Sequence, residues 1–165
     1  MVPDFPPTTV VILVGVPASG KSTFVARHLS GRGLRVLSTD NIIEEMAAAQ
    51  GKTYDEAFSS CISDATHKFY RAIRNAVSEN VGFVVDRTHM TRAARRKILR
   101  MVPDYYHKVC VVFDVPDDDE HKRRLANRPG KTIPDHVIEE MKRTFQKPTE
   151  DEGFDTIIFV RNSQQ

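Results

Sequence analysis

Apolar residues run unbroken through Val10-Val11-Ile12-Leu13-Val14. A short continuous run of β-branched and aliphatic residues reads as a strand buried on both faces. Four more strand candidates follow: Arg35-Val36-Leu37-Ser38, Phe83-Val84-Val85-Asp86, residues 109–114 and residues 156–160. Helical spacing fills the intervals. Residues 23–29 and 41–49 read as helices, and in residues 55–79 the apolar positions Phe58, Ile62, Ala65, Phe69, Ala72, Ile73 and Ala76 recur near every third or fourth place. Residues 92–102 set Ala94, Ile98, Met101 and Val102 on one side. Residues 134–147 open on Pro134, carry Val137, Ile138, Met141 and Phe145 as a stripe, and stop before Pro148. Strands alternating with helices predict an α/β fold, a parallel five-stranded sheet flanked by helices. Ligands of such sheets sit beyond the carboxyl ends of the strands. Gly15, Asp40 and Asp86 each follow a strand candidate at that edge, so they should converge.

The chain's 165 residues suffice for one α/β domain with its own core. Residues 1–8, with three prolines, read as a flexible lead-in, and residues 9–165 as a single domain. No apolar run approaches the roughly 18 residues of a spanning helix, and the start lacks the basic, then apolar, pattern of a signal peptide. Cys61 and Cys110 are too few for a disulfide framework. The expectation is a cytoplasmic protein without a membrane partner. A net charge of 24 − 22 = +2 does not by itself announce a nucleic-acid binder.

Residues 15–22, Gly-Val-Pro-Ala-Ser-Gly-Lys-Ser, match G-x-x-x-x-G-K-[ST] in full, between a strand and a helix. That geometry turns backbone N–H groups and a helix N-terminus toward a polyphosphate. Gly15, Pro17, Ala18, Ser19, Gly20, Lys21, Ser22 and Thr23 are therefore the expected nucleotide cradle, with ATP and Mg²⁺ as cofactors. Lys21 reaches the β- and γ-phosphates, and the Ser22 hydroxyl ligates the metal. Asp86 closes an apolar strand as a metal-holding carboxylate does, directly or through water. Asp40 is placed to accept a proton from an acceptor hydroxyl; it is also a favoured helix-cap residue, and the two readings are compatible. Lys122 to Lys131 carries Arg123, Arg124 and Arg128 around a Pro129-Gly130 break, the composition of a mobile lid with bidentate donors for a transferring phosphoryl group. Arg92, Arg96 and Arg100 share one helix face, which suits a phosphate backbone, though a solvated face accounts for the row as well. The six histidines show no metal-ligand spacing; only His89, close after Asp86, is a candidate for the acceptor cleft.

Residues 15–22, Ser38-Thr39-Asp40-Asn41, Val85-Asp86-Arg87-Thr88-His89 and Val112-Phe113-Asp114-Val115-Pro116 resemble, in order and spacing, the kinase domain of polynucleotide 5′-hydroxyl kinases of the phage T4 type. Gly130-Lys131-Thr132-Ile133-Pro134 continues the likeness, and Pro148-Thr149 with Glu152-Gly153-Phe154 resembles the end of the animal DNA-end-repair kinase domain. The resemblance implies a P-loop kinase fold with the Asp86 strand beside the Gly15 strand. It implies Lys21 and Ser22 on ATP and Mg²⁺, Asp40 as the general base for a 5′-hydroxyl of DNA or RNA, and Arg124 and Arg128 as lid arginines. It puts Ile133 where an apolar side chain stacks on the acceptor base. The chain departs from the family at Thr39 and Ile43, where arginines are common; the second of these clamps an acceptor phosphate. Arg87, Arg92 and Arg96 are the candidates to rebuild that clamp. Two alternatives stay open: another hydroxyl acceptor, such as a hydroxymethyl-modified base or a nucleoside, and a non-catalytic nucleotide-binding scaffold.

Overall fold

A computed structural model describes residues 2–161. The sheet has five parallel strands in the order β2-β3-β1-β4-β5, where β1 is Thr9–Val14, β2 Arg35–Leu37, β3 Phe83–Val85, β4 His107–Phe113 and β5 Thr156–Val160. Each expected strand is present, and β3 lies beside β1 as the resemblance implied. Alternation splits the central strand between two cores. Val10, Ile12 and Val14 pack with Phe69, Ile73 and Ile98 on one face. Val11 and Leu13 pack with Phe24, Leu29 and Phe113 on the other. Every residue of β1 is fully buried, which is why it reads as an unbroken apolar run.

The helices are α1 (Lys21–Phe24, widening into a π turn at Val25–Leu29), α2 (Thr39–Ala49), α3 (Tyr54–Ser78), α4 (Arg92–Leu99), α5 (Asp118–Ala126) and α6 (Asp135–Thr144). Thr53 opens α3 with a reciprocal capping box to Glu56, and Thr91 caps α4 by accepting from Ala94 N at 3.2 Å. α4 and α6 stop three residues short of the apolar patterns that predicted them, the remainder lying in irregular chain.

Residues of the expected lead-in contact the body of the domain. Arg32 donates to the carbonyls of Pro3 and Val2 at 2.7 and 3.2 Å, and its guanidinium lies 5.8 Å from the Phe5 ring centre. Phe5 also packs against the outer core.

The register fixes the site. Ile12, Val85 and Leu37 lie side by side at the carboxyl end of the sheet. Beyond them β1 runs into Gly15, β3 into Asp86 and β2 into Ser38 and Asp40. Asp86 N donates to Leu37 O at 2.8 Å, and Gly15 N to Thr88 O at 3.0 Å, so the three chain exits are bonded to one another.

Candidate active site

The P-loop folds around its own lysine. Ala18 and Gly20 take left-handed backbone, with φ of 61° and 99°, which bends the chain into a concave row of N–H groups. Gly15 is closely approached: a Cβ there would stand 2.7 Å from Ser19 Oγ and 3.1 Å from Phe113 Cβ, so a side chain would have to displace the Ser19 hydroxyl. Lys21 Nζ donates to Gly15 O at 2.9 Å and Val16 O at 2.7 Å. Burial of this ammonium pushes it down from 10.5 to about 8, against the pull of Asp86 that favours the charged form.

A cleft of about 1360 Å³ opens over the loop, lined by residues 17–24, Asp40, Asp86, Arg124, Arg128 and Lys131 among others. Ser19 Oγ, Thr39 Oγ1 and Arg128 Nη1 are buried with no hydrogen-bond partner among the described residues, and all three residues line this cleft. Unpaired buried donors are costly, and two hydroxyls and a guanidinium around a cradle of N–H groups fit an anionic polyphosphate. The donor set for a metal fits as well. Ser22 and Asp86 both line the cleft, and the Asp86 carboxyl is raised by burial and drawn back by Lys21. Among the described residues no group of three or more His, Cys, Asp or Glu forms a metal cage. Mg²⁺ is normally held by one or two protein oxygens together with phosphates and water.

Asp40 is freed from capping. Ser38, not Asp40, caps α2, its Oγ accepting from Asn41 N at 3.2 Å. The Asp40 carboxylate instead accepts the Tyr54 hydroxyl at 2.7 Å and faces Lys131 Nζ at 3.3 Å. Neither partner is visible in the sequence pattern around Asp40.

The lid segment leans on the P-loop. His121 on α5 is buried, and its Nε2 lies 2.8 Å from Pro17 O; a carbonyl only accepts, so Nε2 carries the proton. Arg124 Nη1 reaches Ala18 O at 3.4 Å while its Nε donates to Glu120 at 2.7 Å. His121 and Arg124 fall at i and i+3 on α5 and so share a side of that helix; Arg128 lies two residues past its end. Among the histidines only His89 is a sequence candidate, and the contact of His121 with the P-loop has no signal in the local spacing.

The acceptor side differs most from expectation. Ile43 is fully buried, so that position serves packing and cannot present a charge. Ile133 and Arg96 line neither the main cleft nor the smaller cavity beside it. Arg92 also lies outside both and is held by Asp151 at 2.7 Å and Thr149 at 3.3 Å. Arg87 does line the cleft. The smaller cavity, about 350 Å³, shares Arg87, Thr88 and Met141 with it and adds Lys97, Tyr70 and His89. Arg87 and Lys97 rest on aromatic faces, 5.1 Å from Phe69 and 4.5 Å from Tyr70, and neither has a carboxylate within ion-pair distance among the described residues. His89 is buried with a φ of 45°; its Nδ1 donates to Leu13 O at 3.0 Å. Burial lowers its imidazole to about 4, so the ring is neutral.

The family model described as an AAA domain matches residues 10–148, and the chain belongs to that family. Solved structures with the same fold include a protein assigned as a kinase from Chloroflexus aurantiacus, 17% identical with a TM-score of 0.71, covering 96% of this chain and 90% of that one. A gluconokinase from Sinorhizobium meliloti is 17% identical with a TM-score of 0.58, covering 96% and 85%. A chain of the Pnkp1/Rnl/Hen1 RNA repair complex is 20% identical with a TM-score of 0.64, covering 86% of this chain and 45% of its own length. At these identities the likeness establishes the P-loop kinase-like fold. Among the described residues no helix is long and apolar enough to cross a membrane.

Proposed function

We propose that the protein is an ATP-dependent kinase that phosphorylates the 5′-hydroxyl end of DNA or RNA. The observation that carries the phosphotransferase reading is a single cleft in which Asp40 faces the P-loop, with Lys21, Asp86, Arg124 and Arg128 around it. The acceptor hydroxyl oxygen attacks the γ-phosphorus. Its proton passes to Asp40, the bond from the γ-phosphorus to the β,γ-bridging oxygen breaks, and ADP leaves. Lys21, Arg124 and Arg128 meet the charge that spreads over the transferring group. Bound Mg²⁺, held through Ser22 and Asp86, would neutralise the β- and γ-oxygens. The lid closes water out.

Two observations support a polynucleotide acceptor. The motif strings of the first subsection run through the P-loop, the Asp40 and Asp86 segments and the lid. Arg87 and Lys97, with no carboxylate in ion-pair distance among the described residues, take the backbone contacts that Arg92 and Arg96 were expected to make. The test offers γ-labelled ATP to 5′-hydroxyl DNA, 5′-hydroxyl RNA, hydroxymethylated duplex, nucleosides and a sugar acid in parallel. Label on oligonucleotide ends is the expected result. Label on nucleosides or the sugar acid alone would move the protein to the small-alcohol kinases, and ATP binding without any transfer would make it a scaffold.

A further inference from the structure

Lys131 occupies an unusual position for a lid residue. Its Nζ lies 3.3 Å from Asp40 Oδ2 and 3.0 Å from Glu44 Oε1, and 4.7 Å from the centre of the Tyr54 ring. Tyr54 in turn donates its hydroxyl to the other oxygen of Asp40 at 2.7 Å. Burial, then the bond to Asp40, raises the phenol far above its ordinary range, so it remains a donor. Both oxygens of Asp40 are thus gripped, one from α3 and one from the lid. Each oxygen keeps a lone pair for an incoming hydroxyl.

The loop that brings Lys131 is fastened to the same helix that brings Tyr54. Thr132 N donates to both Asp55 oxygens at 2.8 and 2.9 Å, and Asp55 N donates to Gly130 O at 2.9 Å. Gly130 has a φ of 69°, and a Cβ there would stand 2.9 Å from Thr53 Cβ, so only glycine allows the approach. The start of α3 is therefore a latch for the lid tip, one residue from Tyr54.

We propose that Lys131 and Tyr54 are positioning residues for Asp40, and that docking of the lid tip at Asp55 delivers Lys131 to it. The general base is then completed only when the lid is latched. This rests on the reading of Asp40 as the base. It predicts that the clamp acts on turnover more than on binding: Lys131 and Tyr54 line the cleft, but their polar contacts go to Asp40 and Glu44, so their main effect is to orient the proton acceptor.

The test compares steady-state kcat and KM for ATP and a 5′-hydroxyl oligonucleotide in the wild type, Lys131→Met, Lys131→Arg, Tyr54→Phe and Asp55→Ala, with Asp40→Asn as reference. Thermal melts check that each variant folds. Lys131→Met and Tyr54→Phe should each lower kcat by roughly ten- to a hundred-fold, with both KM values within about twofold of wild type. Lys131→Arg should recover most of the loss. Asp55→Ala should lose kcat in the same direction although Lys131 is intact. Wild-type kcat in Lys131→Met and Tyr54→Phe, beside an inactive Asp40→Asn, would overturn the clamp and leave the base standing. A loss confined to the acceptor's KM would also overturn it, making Lys131 a substrate contact. Full activity of Asp40→Asn would instead remove the base on which the clamp depends.

Discussion

Two residues separate readings that their sequence context left joined. Asp40 was open to capping and to catalysis, and the structure gives the cap to Ser38. Asp40→Asn therefore tests catalysis with little interference from helix stability. It should keep ATP binding and the melting temperature and lose transfer by roughly 10²-fold or more, the scale of a positioned general base. Full transfer with intact folding would leave Asp40 a bystander held by Tyr54 and Lys131. Lys21 makes the second test. Its lowered value of about 8 means that it is charged below that pH and neutral above it. Phosphates bound beside it favour the ammonium, so nucleotide binding takes up a proton once the pH passes about 8. ATP affinity should fall as pH rises through that value. Calorimetry in two buffers of different ionisation enthalpy reads the uptake directly: near zero at about pH 7, and clear at about pH 9. No uptake at about pH 9 would mean that the two loop carbonyls hold Lys21 charged throughout.

At the scale of elements, α4 shows where a one-dimensional pattern stops. Its row of basic residues has no acid within it, and helical spacing put Arg92, Arg96 and Arg100 on one useful face. Tertiary docking sorts the row differently. Arg95 is wholly buried, bonded to Glu152 at 2.8 and 3.1 Å and to His89 O at 2.9 Å, and Arg92 pairs with Asp151. Those acids lie 57 and 59 residues along the chain, so no local spacing announces them. Glu152 also accepts from Thr149 N at 2.8 Å, so one carboxylate fastens the turn before β5 to α4. The glutamate of the Glu-Gly-Phe string thus has a structural task. Glu152→Gln should strand the Arg95 guanidinium and cost about 3 kcal/mol, read as a shift in the urea midpoint. Because an apolar pair can replace a buried ion pair, Arg95→Met with Glu152→Leu should regain part of the loss. A cost under about 1 kcal/mol for Glu152→Gln would show that the neutral amide still satisfies the guanidinium.

For the molecule as a whole, strand ends were the most readable part of the chain. An apolar run closing on Gly15, Ser38 or Asp86 gives both the strand and the edge where chemistry collects, because parallel strands must all point the same way. The residues that meet those ends from other layers were not readable: Tyr54 and Lys131 on Asp40, His121 on Pro17, and Lys97 beside Arg87. Their faces are chosen by docking, and sequence spacing alone does not state it. The distinction bears on the acceptor. With a net charge of only +2, steering by the whole molecule is weak, and salt dependence should report local cations. Arg87 and Lys97 share a cavity, and among the described residues no carboxylate pairs with either, whereas Arg92 is already paired with Asp151. Single-stranded acceptor affinity should fall with salt, and Arg87→Ala with Lys97→Ala should flatten the log–log slope by about 1.4, two contacts at about 0.7 each. Arg92→Ala with Arg96→Ala should change it less. ATP affinity should keep its own salt dependence in both double variants, since the P-loop backbone holds its phosphates. Titrations of a labelled 5′-hydroxyl oligonucleotide across salt concentrations decide the matter. Flattening by the Arg92 and Arg96 pair alone would lay the strand along the outer face of α4. Flattening by neither pair would mean that the acceptor brings no phosphate to this side of the cleft, and the polynucleotide reading would give way to a small alcohol.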